Sequence, residues 1–81
     1  MYEFIRNDEG KPDLLFLESY IKTKFVDCSV EYVDDSLVVT TILGDIRFIV
    51  EGSKLIVYTN MHDKELFNLL RPIGYLFVGK E

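Results

Sequence analysis

Apolar and polar residues alternate in four short segments between residues 26 and 59, which is the pattern of half-buried β-strands. The segments are VDCSVEYV (26–33), SLVVTTI (36–42), DIRFIV (45–50) and KLIVYT (54–59). Two-residue connections at 34–35, 43–44 and 52–53 contain aspartate or glycine, which suit tight hairpin turns. The pattern therefore predicts a four-stranded antiparallel meander.

Each hairpin turn fixes the register of its two strands, so the three turns can be checked against one another. Pairing outward from Gly52-Ser53 places Phe48 opposite Val57. The turn at 43–44 places Val39 opposite Phe48, and the turn at 34–35 places Val30 opposite Val39. The three registers agree on one sheet face that contains no charged residue. Its predicted members are Val26, Cys28, Val30, Tyr32, Leu37, Val39, Thr41, Ile46, Phe48, Val50, Leu55, Val57 and Thr59.

Helical spacing of apolar residues precedes and follows the meander. Pro12 suits a first helical position, and residues 13–25 carry an apolar stripe. The stripe consists of Leu14, Leu17, Ile21 and Phe25, widened by Phe16 and Tyr20. A second helix is predicted after Thr59, with Asn60 as its N-cap and Pro72 ending it near Arg71.

These elements predict an α+β fold in one domain, residues 1–81. The expected architecture is a two-layer sandwich in which both helices cover the uncharged face of the four-stranded antiparallel meander, in the order α-β-β-β-β-α. The terminal segments YEFI (2–5) and GYLFVGKE (74–81) also alternate, and each could add a short strand.

Composition narrows the range of functions. The chain has 81 residues, 48% of them hydrophobic, which is ample for a folded core, and a net charge of −5. An acidic balance opposes direct binding to nucleic acid and to anionic membranes, since both need a cationic surface. The N-terminus carries no signal-peptide pattern, so we expect a cytoplasmic protein.

The chain shows no catalytic or cofactor-binding signature. Cys28 falls on the uncharged face and is expected to be a buried, unreactive thiol. His62 is expected to be an ordinary residue at the start of the second helix. No spacing of acids, histidine and cysteine suits a metal site, and no glycine-rich loop precedes a helix. We therefore expect neither enzyme activity nor a cofactor.

The second face of the meander is the candidate functional surface. It combines the apolar residues Val38, Ile49 and Ile56 with Arg47 and Tyr58, two residue types that dominate binding hot spots. We predict a non-catalytic protein-binding module acting through these five residues. Binding to a second copy is one form of this prediction, because a two-fold contact needs only one self-complementary patch.

Two structural alternatives and one functional alternative stay open. The terminal segments could cover the second face, or that face could simply be solvated. The chain could instead be an inhibitor of the kind encoded by phages or mobile elements, whose acidic side chains mimic phosphates and block the nucleic-acid site of an enzyme.

Overall fold

The computed structural model describes all residues, 1–81, and has an α+β fold with two helices and a six-stranded antiparallel sheet. Along the chain the elements are β1 (Tyr2–Arg6), α1 (Leu14–Lys24), β2 (Ser29–Val33), β3 (Ser36–Thr41), β4 (Gly44–Glu51), β5 (Lys54–Thr59), α2 (Asp63–Leu70), a 3₁₀ turn (Arg71–Ile73) and β6 (Tyr75–Lys80). The longest helix has 11 residues, and no helix is long and apolar enough to cross a membrane.

The terminal segments join the sheet as strands and widen it from four strands to six. The strand order is β2-β3-β4-β5-β1-β6, so β1 lies between β5 and β6. Tyr2 lies opposite Val57, and Phe4 opposite Leu55, which continues the apolar face of the meander. The termini therefore extend the sheet sideways and do not fold over its second face.

Two of the three predicted hairpin registers are confirmed. Phe48 pairs with Val57 around Gly52-Ser53, and Val30 pairs with Val39 around Asp34-Asp35. The middle hairpin differs: Val39 pairs with Ile46 rather than with Phe48, so the turn residues are 42–43. The slip is two residues, an even number, and the side chains therefore keep their faces.

Gly44 explains why the middle turn was placed wrongly. The sequence predicts Gly44 as a turn residue, but it begins β4 beside the Asn60 side chain, with φ at +139°. A Cβ at this position would lie 2.5 Å from Asn60 Oδ1, which itself accepts a hydrogen bond from the Asp45 backbone N–H. The glycine is needed for close approach. The Asn60 side chain is therefore bonded to β4 and does not cap α2 as predicted. The N-cap of α2 is His62.

Both helices pack on one face of the sheet, as predicted. The core joins Leu17 and Ile21 of α1 to Leu66, Leu69 and Leu70 of α2 and to the apolar sheet face. The Tyr20 hydroxyl donates to the Leu69 carbonyl at 2.7 Å, which links the two helices. Asp13 is the N-cap of α1, where its carboxylate accepts from two backbone N–H groups.

The predicted first strand of the meander is too long at its start. β2 begins at Ser29, and Val26, assigned to the core face, is 96% exposed in the turn before it. Cys28 is half-buried against the core rather than fully buried, and Tyr32 and Phe16 are also substantially exposed. For Cys28 and Tyr32 the cause is position, because β2 is the edge of the sheet, where the helix layer covers side chains only partly.

Candidate functional site

The outer face is the sheet face opposite the helices, and the five predicted binding residues lie on its central strands. Val38, Arg47 and Tyr58 form one row across β3, β4 and β5. Ile49 and Ile56 are paired in the next row. A turn at 43–44 would pair Thr40 with Arg47; the observed turn at 42–43 pairs Val38 with Arg47 instead, which makes the apolar cluster more compact.

Burial divides these five residues into a floor and two projecting groups. Ile56 is only 3% exposed, although no helix covers it, and Val38 and Ile49 are half-buried. Arg47 is exposed, and Tyr58 is 49% exposed. The apolar residues therefore form the floor of the patch, and Arg47 and Tyr58 present the accessible groups.

The floor is closed on one side by an ion pair. Glu3 of β1 lies opposite Ile56, and its carboxylate is 3.5 Å from Lys54 Nζ of β5. Sequence reasoning missed this side of the face because it did not place the N-terminal strand next to β5. Beyond it, Ile5 and Leu76 are paired between β1 and β6 and extend the apolar surface.

Arg47 and Tyr58 have no partner within the chain. The other four tyrosine hydroxyls are engaged: three donate, to Asp63, to the Leu69 carbonyl and to Glu18, and the fourth accepts from the Asp13 N–H. Tyr58 makes no such bond, and Arg47 forms no ion pair, in contrast to Arg6 with Asp8. The two polar groups therefore lie side by side on the outer face without a hydrogen-bond or ion-pair partner in the chain.

The residues considered for chemistry lie apart from one another. His62 Nδ1 accepts from the Lys64 backbone N–H at 3.2 Å and caps α2. Cys28 lies just before the edge strand β2 and packs partly against the core. No three histidine, cysteine or acidic side chains come together in a way that could hold a metal ion.

One titratable cluster joins the two terminal strands to α2. The Tyr2 hydroxyl donates to Asp63 Oδ1, and Lys80 Nζ lies 3.3 Å from both carboxylate oxygens. The hydrogen bond from Tyr2, followed by that from Lys80, holds the pKa of Asp63 below its usual value. The Asp63 carboxylate in turn raises the pKa of Tyr2 and of Lys80. The cluster fastens β1, α2 and β6 together.

We expect Asp63→Asn to lower stability at pH 7 and to have progressively less effect as the pH falls. Because folding depresses the pKa of Asp63, its ionised form stabilises the fold above the unfolded-state pKa of about 4. That contribution is lost as the pH falls through the folded-state pKa. The urea midpoints of wild type and variant should thus approach each other on acidification.

Asp35→Asn is the control for a general change of charge, since Asp35 is exposed in a turn and forms no ion pair. A difference between wild type and Asp63→Asn that stayed constant from pH 7 to about pH 2 would contradict the linkage.

No protein family model, curated protein or solved structure matches the chain.

Proposed function

We propose that this chain is a non-catalytic protein-binding module whose contact surface is the outer face. The observation that supports this most directly is the unpartnered pair Arg47 and Tyr58, adjacent in register above an apolar floor. Arginine and tyrosine are enriched among the few residues that carry most binding energy, and such residues cluster over well-packed apolar surroundings.

The chemistry of the patch defines its partner. A protein bound here would bury Tyr58 against an apolar surface and place a carboxylate or carbonyl oxygen opposite the Arg47 guanidinium. Val38 and Ile49 would add apolar contact area, while Ile56, already buried, would support the patch from below. Both helices lie on the other side, so binding need not disturb the core.

The test compares two double variants with the same change of charge. Arg47→Glu with Tyr58→Ala alters the outer face. Lys64→Glu with Tyr32→Ala is the control on the helix side of the molecule, and Tyr32 matches Tyr58 closely in exposure, at 46% against 49%. Ile56 is excluded from the test, because a charge placed at a buried position would destabilise the fold.

Each immobilised protein would be used to capture host proteins, and the affinity of any protein retained by wild type would then be measured after purification. We expect the outer-face variant to weaken binding at least about a hundredfold, because two hot-spot residues of about 2 kcal/mol or more each would exceed that loss together, and the control to bind within about threefold of wild type. Urea midpoints should show that both variants are folded.

Equal binding by both double variants would show that the outer face is only a solvated surface. The acidic-inhibitor alternative predicts a different pattern. Binding to a basic enzyme would collapse between about 0.1 M and 1 M salt and would survive loss of Arg47 and Tyr58, because screened carboxylates would carry the affinity.

A further inference from the structure

The second edge of the sheet, strand β6, is open and apolar. β6 pairs with β1 on one side and with nothing on the other, so half of its backbone donors and acceptors face solvent. Three consecutive side chains on this strand, Leu76, Phe77 and Val78, are 46%, 45% and 50% exposed. Edge strands of this kind pair readily with another strand.

The opposite edge is built differently. β2 carries Glu31 within the strand, and Asp27, Asp34 and Asp35 flank it. Acidic side chains along an edge repel a second strand of the same chain. By contrast, no charged residue occurs between Arg71 and Lys80. The β2 edge therefore carries like charges against pairing, whereas β6 carries none before Lys80, and its one irregularity is the shift in register with β1 at Val78.

The charges at the ends of β6 indicate which strand it accepts. The Lys80 ammonium is already paired with Asp63. Arg71, before the strand, and Glu81, after it, are both exposed and form no side-chain ion pair. The strand therefore runs from an unpaired Arg71 guanidinium to an unpaired Glu81 side-chain carboxylate, while the Glu81 main-chain oxygen accepts a hydrogen bond from the Met1 ammonium. When two such strands pair antiparallel, the Arg71 end of each copy meets the Glu81 end of the other.

We propose that β6 pairs antiparallel with β6 of a second copy of this chain. A two-fold axis perpendicular to the sheet relates the copies, so the sheet becomes continuous across them and the helices of both stay on the same side. This contact does not use Arg47 or Tyr58 and is independent of the protein-binding function proposed above.

A groove beside β6 gives this pairing a side-chain contact as well. The groove, of about 240 Å³, lies between α2 and β6 and is lined by Phe4, Phe67, Arg71, Tyr75, Leu76 and Phe77. Its floor is the cluster in which the Phe67 and Phe77 rings lie 4.8 Å apart. Antiparallel pairing keeps residues on their own face, so Phe77 of each copy lies next to the groove of the other.

Sedimentation velocity from about 10 µM to 1 mM is the first test. A strand of six residues gives an interface at the small end of the range, so we expect reversible, weak association toward twice the 9.5 kDa mass of one chain. Val78→Lys should weaken it at least tenfold, because each copy would then bring a lysine into the apolar contact between the two strands. Ile42→Lys, at an exposed hairpin tip, is the control and should leave it unchanged.

A charge exchange tests the orientation of the two strands. Arg71→Glu and Glu81→Arg should each weaken the dimer by about threefold or more, since each dimer contains the pair twice. The double variant reverses both charges and should restore wild-type association. Only an arrangement that brings residue 71 of one copy to residue 81 of the other predicts this rescue.

Three results would overturn the proposal. A monomer up to 1 mM would show that the edge does not pair. A dimer that resists Val78→Lys but dissociates with Arg47→Glu would place self-association on the outer face. Growth beyond a dimer would indicate head-to-tail pairing of β6 with β2, which does not close.

Discussion

Phe48→Ala is expected to lower the free energy of unfolding by about 3–5 kcal/mol, a large part of the total stability of a domain of this size. Phe48 is fully buried in the centre of β4, between Leu37 on one side and Val57 on the other. Its removal leaves a cavity that neighbours on a six-stranded sheet cannot collapse into. Chemical denaturation followed by circular dichroism would measure the loss.

Phe16→Ala is the matched control for this prediction. Phe16 lies on α1 and is 49% exposed, so the same substitution should change stability by roughly 1 kcal/mol or less. A denaturation midpoint for Phe48→Ala as close to wild type as that of Phe16→Ala would refute the pairing of Phe48 with Val57 in the β4–β5 hairpin.

Phe4→Ala is expected to have a similarly large effect, about 3–5 kcal/mol, and it tests the insertion of the N-terminal strand. Phe4 is 1% exposed, lies opposite Leu55, and meets the Phe67 and Phe77 rings at centroid distances of 6.1 and 5.8 Å. It thus connects β1 to β5, α2 and β6 at once.

Ile5→Ala provides the control in the same strand. Ile5 points to the outer face and is 37% exposed, against 1% for Phe4, so its truncation should cost less than that of Phe4. If the two substitutions had equal, small effects, β1 would not be an integral part of the sheet, and the fold would reduce to the four-stranded meander.

The meander was predictable because its information is local. Tight turns at 34–35 and 52–53 fix the register of their hairpins, and strict alternation assigns each side chain to a face. The middle turn was misplaced because Gly44 is required for contact with Asn60, sixteen residues away, and a local pattern cannot report that. Each side chain nevertheless lies on its predicted face, because the register of β3 and β4 differs from the predicted one by two residues, an even number.

The shared face of the five proposed binding residues was predictable from the sequence, and their exposure was not. Alternation alone put Val38, Arg47, Ile49, Ile56 and Tyr58 on one face. That Ile56 is buried there, whereas Tyr58 projects, depends on β1 lying alongside β5 with its Glu3–Lys54 ion pair. The lack of a hydrogen-bond or ion-pair partner for Arg47 and Tyr58 likewise depends on where the other polar side chains of the chain lie.

The sequence by itself determined the class of fold, the side on which the helices pack and the division of the meander into two faces, since periodicity and turn chemistry act within a few residues. Only the tertiary structure decided that β1 enters between β5 and β6. That placement joins segments more than 50 residues apart, and it follows from burying Tyr2 and Phe4 against Val57 and Leu55. It also creates the open β6 edge, because a strand becomes an edge through its neighbours and not through its own residues.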